Sequence, residues 1–285
     1  PVPNGFDRLA IKTLITSSPF MKMNSLRKCS LLLAVSFVGC FAATDGFAST
    51  RFWTNSVGGF WGPGTTNWGA SGVAPISGDT AQITNALSKT IIIDTNSVAA
   101  NLVTRILTLS APAGSTNTLL IQGYAAPQTF SIEANGSCAI NSGGNLTAAT
   151  AALTVLGPWT MNNSVLNASN SVVKATGTWT MNNSVLNASN SVVMATGNGN
   201  FNLNSNSAVI LNSVTLTNAT TVLNHGTTWN ATNSTFRLLS GESFDNNGGA
   251  VILSGGTMDT SAFNTMRIGR YVTNIGSLTV YSGTV

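Results

Sequence analysis

The sequence predicts an all-β fold, a parallel β-helix (solenoid) with rungs of about 20 residues and a Trp-rich N-terminal cap. Residues 159–177 and 179–197 are nearly identical, and they differ only where Lys174 of the first copy is Met194 in the second. A unit this short cannot bury its own apolar face, so its copies must stack on one another. Only 7% of the chain is charged, and Asn, Ser, Thr and Gly supply most of its polarity. This composition favours short strands and tight turns over helices.

The chain begins with a segment that has the pattern of an export signal. We assign residues 1–20 to a non-native upstream segment and residues 21–48 to a secretory signal peptide. Basic residues at 22, 27 and 28 precede an apolar stretch over 29–43, and Gly46-Phe47-Ala48 supplies the small residues of a cleavage site after Ala48. The apolar stretch is shorter than the roughly 20 residues that span a bilayer, which predicts no integral membrane span in the mature chain. An alternative is lipidation at Cys40, because Phe37-Val-Gly-Cys40 is similar to a bacterial lipobox.

The charge of the mature chain excludes one class of function. Seven basic and six acidic residues follow position 48, which leaves a net charge of +1 and no basic run. Nucleic-acid binding through an electrostatic footprint is therefore not expected. Cys138 is the one cysteine after the leader, so the mature chain has no intramolecular disulfide.

Residues 49–83 are predicted to form the N-terminal cap of the solenoid. This block contains Trp53, Trp61 and Trp68, spaced by Gly, Pro and Asn. A solenoid must close the open end of its core, and clustered indole rings serve that purpose. The alternative is a platform on which these three residues contact a glycan.

The cap block resembles the amino-terminal segment of exported β-strand repeat proteins of Gram-negative bacteria, the autotransporter-type and PEP-CTERM-associated families. The resemblance lies in a W…GxW…NW…P…GDxAxI arrangement, which here runs from Trp53 to Gly78-Asp79-Thr-Ala-Gln-Ile83. The segments 266–271 and 276–285 look like the IG…GSLTVxGG units of the same families. The resemblance implies a β-helical passenger that is exported to the extracellular space or the outer-membrane surface, and it implies nothing about a ligand.

Residues 84–285 are predicted to form the β-helical repeat region. Each repeat divides into three apolar clusters that are separated by Asn- and Ser-rich corners, as one turn of a three-sided β-helix requires. Stacking would place Asn162 against Asn182 and Asn167 against Asn187, about 4.8 Å apart, so that side-chain amides can form ladders. The exchange of Lys174 for Met194 predicts an outward position there. The strand-like residues at Val285 lead us to expect a C-terminally truncated product.

Residues suited to catalysis are scarce. His225 is the only histidine and precedes a glycine, which is typical of a solvated turn. Glu242, Asp245 and Asp259 are the only local concentration of carboxylates, and sugar-cleaving enzymes use such pairs as acid and base. We predict no catalytic residue, no cofactor and no metal site. The first hypothesis is a non-enzymatic, secreted or surface-displayed structural passenger that acts as an adhesin, with extracellular polysaccharide or other cell-surface material as its partner. The alternative is a β-helix that binds or degrades polysaccharide.

Overall fold

The sequence-predicted fold is confirmed by a computed structural model, in which parallel sheets form a β-solenoid of about seven turns of about 22 residues. The structure describes residues 48–62, 66–69, 72–95, 101–124, 127–196, 199–218, 220–224, 226–239, 243–247, 249–255, 257–259, 265–267, 271–273 and 277–279. The predicted segments 1–20 and 21–47 lie outside these residues.

The strands are short and are numbered in chain order. The first nine are β1 (Thr50–Phe52), β2 (Gly59–Phe60), β3 (Thr80–Ile83), β4 (Lys89–Asp94), β5 (Asn101–Leu109), β6 (Asn117–Gln122), β7 (Gln128–Ile140), β8 (Gly144–Ala149) and β9 (Ala151–Val155). The repeats contain β10 (Trp159–Asn162), β11 (Val165–Ser169), β12 (Val172–Ala175), β13 (Trp179–Asn182), β14 (Val185–Ser189) and β15 (Val192–Ala195). The remainder are β16 (Phe201–Asn204), β17 (Ala208–Asn212), β18 (Thr215–Asn218), β19 (Thr221–Leu223), β20 (Thr228–Thr232), β21 (Thr235–Leu238), β22 (Ser243–Asn246), β23 (Ala250–Ser254), β24 (Thr257–Asp259), β25 (Thr265–Arg267), β26 (Tyr271–Thr273) and β27 (Ser277–Thr279). A 3₁₀ turn, Thr66–Trp68, lies in the cap block.

The strands lie on three faces of the solenoid. The second face is a 10-stranded parallel sheet that contains β2, β4, β6, β8 and every third strand from β11 to β26. The first face contains β1, β3 and every third strand from β10 to β25, and the third face contains β9 and every third strand from β12 to β27. The long strands β5 and β7 pass from the third face to the first, so these two faces form one 17-stranded sheet.

The two near-identical repeats stack in perfect register. Trp159 pairs with Trp179, Leu166 with Leu186 and Val173 with Val193, one pair on each face. Partners in this region are 20 residues apart in the chain, which confirms the predicted period. Turns nearer the N-terminus are longer, with 28 residues between Ser88 and Thr116.

Alternation along each strand sends every second side chain into the core, because successive side chains of a strand point to opposite faces of its sheet. The indoles of Trp159 and Trp179 stack in the core with centroids 4.4 Å apart and an interplanar angle of 2°. Phe201 continues this column 4.7 Å from Trp179. In the next turn the first face carries the smaller Thr221, and the second face carries Trp229 instead. Successive turns therefore carry their largest side chain on different faces, and the core remains filled.

In the two repeats, asparagine forms the corners that flank the second face, as the sequence predicted. Asn163 and Asn183 (φ 47° each) lie between the first and second faces, and Asn170 and Asn190 (φ 48° and 46°) between the second and third. These are left-handed backbone conformations, which asparagine tolerates better than most residues. The corner sequence therefore fixes where each strand ends.

A buried serine follows each of these asparagines. The backbone N–H of Ser164 donates to Ser184 Oγ of the next turn at 3.2 Å, and the Ser184 hydroxyl donates to the Asn182 carbonyl at 2.9 Å. At the other corner the Ser171 N–H donates to Ser191 Oγ at 3.1 Å. At these corners the hydrogen bonds between strands are interrupted. The serine hydroxyl there accepts a hydrogen bond from a buried backbone N–H that would otherwise have no partner.

At the repeats, the corner between the third and first faces requires glycine because the backbones of successive turns approach closely. A Cβ atom at Gly177 would overlap the carbonyl oxygen of Gly157, and one at Gly157 would overlap that of Gly136. These glycines stack on one another along the solenoid axis.

An asparagine ladder runs along the end of the first face. Asn162 Nδ2 donates to Asn141 Oδ1 at 2.9 Å, and Asn182 Nδ2 donates to Asn162 Oδ1 at 2.8 Å. The ladder continues through Asn204, whose Nδ2 donates to Asn182 Oδ1 at 3.0 Å, and then to Asn224. The predicted amide ladder at Asn162 and Asn182 is confirmed. The other predicted pair, Asn167 and Asn187, lies in register on the second face.

The difference between the two repeats lies on the outside. Lys174 and Met194 are register partners on the third face, and both are half-buried. Their neighbours in sequence, Val173 and Val193, are completely buried. The prediction that this position points outward is confirmed.

Candidate functional site

The three tryptophans of the cap block form one buried aromatic cluster. Trp53, Trp61 and Trp68 are 2%, 0% and 1% exposed. The Trp68 ring lies edge-on to Trp61, with centroids 4.6 Å apart, and to Trp53, with centroids 5.2 Å apart. Trp68 Nε1 donates to the Trp61 carbonyl at 3.0 Å, which fixes the 3₁₀ turn against the aromatic cluster. This Trp-rich cluster lies near the N-terminal side of the solenoid, as the sequence predicted.

The placement of these rings corrects the alternative that Trp53, Trp61 and Trp68 contact a glycan. An indole binds a sugar by offering one open face, and burial of all three rings leaves no such face. Asn67 is buried beside them and donates from Nδ2 to the Phe60 carbonyl at 3.2 Å, while its Oδ1 accepts from Asn55 at 2.7 Å. Asn67 thus contributes to the same packed unit, whose contacts are those of a cap.

A buried carboxylate joins the beginning of β1 to the turn that precedes β3. The Asp79 side chain is 6% exposed, and its Oδ1 accepts from both the backbone N–H and the hydroxyl of Ser49 at 2.9 Å. Its Oδ2 accepts from the Ile76 N–H at 3.3 Å and lies 3.5 Å from Arg51 Nε.

Opposing effects act on the acidity of this carboxyl. Burial by itself would raise the pKa of Asp79, but the hydrogen bonds from Ser49 and Ile76 and the charge of Arg51 together lower the pKa below its usual value. The carboxyl is therefore held in its ionised form.

Two of the carboxylates that lie close together in the sequence, Asp245 and Asp259, are on different faces of the solenoid. Asp245 lies on β22 of the first face, whereas Asp259 lies on β24 of the third face. Asp259 Oδ2 pairs with Arg237 Nε at 3.0 Å. Glu242 and His225 lie outside the described residues. General acid and base catalysis needs two carboxyls at a set separation across one site, and this arrangement of Asp245 and Asp259 does not provide it.

Two buried titratable groups, Lys89 and Cys138, have surroundings that stabilise the fold and do not favour reactivity. Lys89 Nζ donates to the carbonyls of Ala86 at 2.6 Å and Asn85 at 3.3 Å, beside the corner at Leu87 (φ 69°), and burial lowers the pKa of Lys89. Cys138 pairs in register with Trp159 in the core, and burial raises the pKa of its thiol. A thiol in such surroundings is not a reactive nucleophile.

The outer surface of the repeat region is dominated by small uncharged side chains. Between Trp159 and Leu239 the charged residues of the chain are Lys174 and Arg237. Outward positions on the second face form columns of register partners: Val165, Val185, Ala208 and Thr228 in one, and Asn167, Asn187, Ile210 and Asn230 in the next. These two columns offer hydrogen bonds and small apolar contacts over a regular array, and none of their side chains is charged.

Within the described ranges, no group of three or more His, Cys, Asp or Glu residues is arranged to hold a metal ion. In the same part of the chain, no helix has the length and apolar character needed to cross a membrane. Comparisons with protein-family models, with curated proteins and with solved structures gave no match. The function is therefore inferred from the residues of this chain alone.

Sequence reasoning missed two features of this surface and its cap. One is the set of buried corner serines such as Ser164 and Ser171, which the recurring Asn-Ser pair could have indicated. The other is the contact between Ser49 and Asp79, which are 30 residues apart in the longer, non-repeating turns. No sequence period connects these two residues.

Proposed function

We propose that this protein is a non-enzymatic, exported β-solenoid that acts as a structural, adhesin-like rod at the cell surface or outside the cell. The single observation that carries the proposal is the pair of stacked repeats. Nineteen consecutive positions were copied with one difference, and that difference, Lys174 to Met194, lies on the outside. Copying a whole turn alters the length of a rod and leaves its cross-section unchanged. A catalytic groove, in contrast, depends on residues that converge from several turns at fixed positions.

The residues that the two copies share support this interpretation. Trp179 and Leu186 fill the core, Asn183 and Ser184 form a corner, and Asn182 belongs to the amide ladder. Each of these roles specifies how one turn stacks on the next. The copied sequence therefore encodes shape.

Export is the second part of the proposal, and the leader supports it. Residues 21–48 have the charge, apolar stretch and small-residue site of a signal peptide. The resemblance of residues 53–83 to exported repeat proteins of Gram-negative bacteria agrees with this assignment. We place the mature protein in the extracellular space or at the outer-membrane surface.

Expression of the full chain in a Gram-negative host tests both parts. We expect the exported protein to begin at Ser49 by N-terminal sequencing and to be accessible to protease added to intact cells or to occur in the medium. A variant that lacks residues 159–178, in which Pro158 joins Trp179 as it joins Trp159 in the parent, should be exported and folded equally well. A chain retained in the cytoplasm with its leader intact would overturn the export proposal. Polysaccharide cleavage that is lost in Asp245→Asn or Asp259→Asn would overturn the non-enzymatic role.

A further inference from the structure

We propose that cleavage after Ala48 creates an α-ammonium group on Ser49 that binds the buried Asp79 carboxylate, so that removal of the leader strengthens the closure of the first turn. The inference rests on the proposed export only for the cleavage itself. The geometry that would receive the new charge is present in the folded chain.

The nitrogen atom that cleavage would release already contacts Asp79. Ser49 N lies 2.9 Å from Asp79 Oδ1, and the Ser49 hydroxyl binds the same oxygen at 2.9 Å. The preceding residue, Ala48, is exposed, whereas Ser49 is half-buried. The change from an exposed to a half-buried residue thus coincides with the predicted cleavage site.

Hydrolysis changes the charge of this contact without changing its partners. Water adds across the Ala48–Ser49 peptide bond, which a signal peptidase would break, leaving a carboxylate on Ala48 and an amine on Ser49. An α-amine takes up a proton at neutral pH and becomes an ammonium group. A neutral amide donor to Asp79 is thereby replaced by a cationic donor, and such charge-assisted hydrogen bonds are about twice as strong as neutral ones.

Asp79 and Ser49 are both hydrogen-bonded to neighbouring strands, so a stronger contact between them should stabilise the first turns of the solenoid. Its backbone carbonyl accepts from Thr104 Oγ1 at 2.7 Å and from the Arg105 N–H at 2.9 Å, both in the following turn. The carbonyl of Ser49 accepts from the Thr80 N–H at 2.8 Å, which begins the pairing of β1 with β3. A tighter contact at Ser49 therefore also fixes β1. Trp53 of the aromatic cluster directly follows Phe52, the last residue of β1.

The test compares the stability of three versions of the chain in vitro. The first begins at Ser49 with a free α-amine, the second begins at Ala48, and the third begins at Ser49 with an acetylated α-amine. Acetylation restores an amide N–H at Ser49 without adding a residue from the leader. We expect the unfolding equilibrium constant of the free-amine version to be lower than that of either other version by on the order of fivefold to tenfold at pH 7.

Substitution of the carboxylate identifies the partner of the ammonium. In the Asp79→Asn background the free-amine version should lose its stability advantage over the acetylated version, because the substituted amide side chain carries no charge. The matched control is Asp259→Asn, which removes a carboxylate that pairs with Arg237 in a late turn and should leave the difference between the two versions unchanged. If Asp79→Asn does not fold, the comparison of free and acetylated chains in the parent background still decides the question. Equal stability of these two chains would overturn the proposal.

The two ways of failing are distinguishable. An exported protein that begins at a residue other than Ser49 would contradict the processing step, and N-terminal sequencing would show it. The stability comparison uses chains with defined ends and is independent of export, so its failure would contradict the ammonium–carboxylate contact alone.

Discussion

The asparagine ladder at the end of the first face leads us to expect that Asn182→Asp destabilises the chain. Asn182 donates from Nδ2 to Asn162 Oδ1 at 2.8 Å and accepts from Asn204 Nδ2 at 3.0 Å. An ionised aspartate keeps the acceptor for Asn204 but loses the donor, and it brings a second acceptor oxygen against Asn162. The change therefore removes one hydrogen bond of a half-buried ladder and adds repulsion between acceptors.

The expected loss is about 2 kcal/mol in the free energy of unfolding at pH 7, the sum of one lost hydrogen bond and one unsatisfied acceptor. The matched control is Asn187→Asp, which adds the same charge at an exposed position of the same repeat. We expect this control to change the free energy by less than about 0.5 kcal/mol. Chemical denaturation followed by the fluorescence of the buried tryptophans measures both.

The pH dependence provides an independent test of the same reasoning. Below about pH 4 an aspartate side chain takes up a proton, and its O–H can then donate to Asn162 Oδ1. The difference between Asn182→Asp and Asn187→Asp should therefore shrink as the pH falls through this range. Equal destabilisation by the two variants at pH 7 would refute the idea that the ladder stabilises the stack.

Three further predictions concern the core, a corner and the cap. Trp179→Ala should lower the free energy of unfolding by about 3–5 kcal/mol, since it leaves a cavity between Trp159 and Phe201; denaturant titration measures this, and a loss below about 1 kcal/mol would contradict the stacked core. Gly177→Ala should destabilise the chain by more than the usual ~1 kcal/mol, because its Cβ would overlap the Gly157 carbonyl, whereas a neutral or stabilising effect in the same titration would exclude that close approach. Because the folded-state pKa of Asp79 is lowered, its contribution to stability is present above about pH 4 and is lost as the pH falls through the folded-state pKa. The parent should therefore lose more stability in acid than Asp79→Asn does. Equal losses of stability in the two chains on acidification would contradict this.

The repeat region could be predicted well from the sequence because a single period determines it. A 20-residue period indicates which side chains share a column, and alternation indicates which columns face the core. This reasoning placed Asn162 on Asn182 and Lys174 on the outside, and the structure confirms both.

The two features that sequence reasoning missed differ in how predictable they were. The Ser184 hydroxyl accepts from the Ser164 N–H one 20-residue period away, so the period indicates the pair but does not show that a serine hydroxyl replaces the sheet hydrogen bond at the corner. The cap has longer turns, so the contact of Ser49 with Asp79, 30 residues apart, does not follow from spacing. Asp245 and Asp259 are close in sequence, yet strand β23 of the second face and the corner at Gly255 (φ 67°) lie between them, so they are on different faces.

The central claim is that each repeat adds one turn of fixed height to a rod, and a distance measurement tests it directly. Spin labels would be placed at Thr147 and Asn230, two outward positions of the second face that are four turns apart. The register connects them through Asn167, Asn187 and Ile210. Pulsed electron paramagnetic resonance should give a backbone separation of about 19 Å, four strand spacings of about 4.8 Å. Insertion of a second copy of residues 159–178 should lengthen this distance by about 4.8 Å, and deletion of that segment should shorten it by the same amount. A distance that does not change with the number of repeats would contradict the solenoid and the structural role proposed for it.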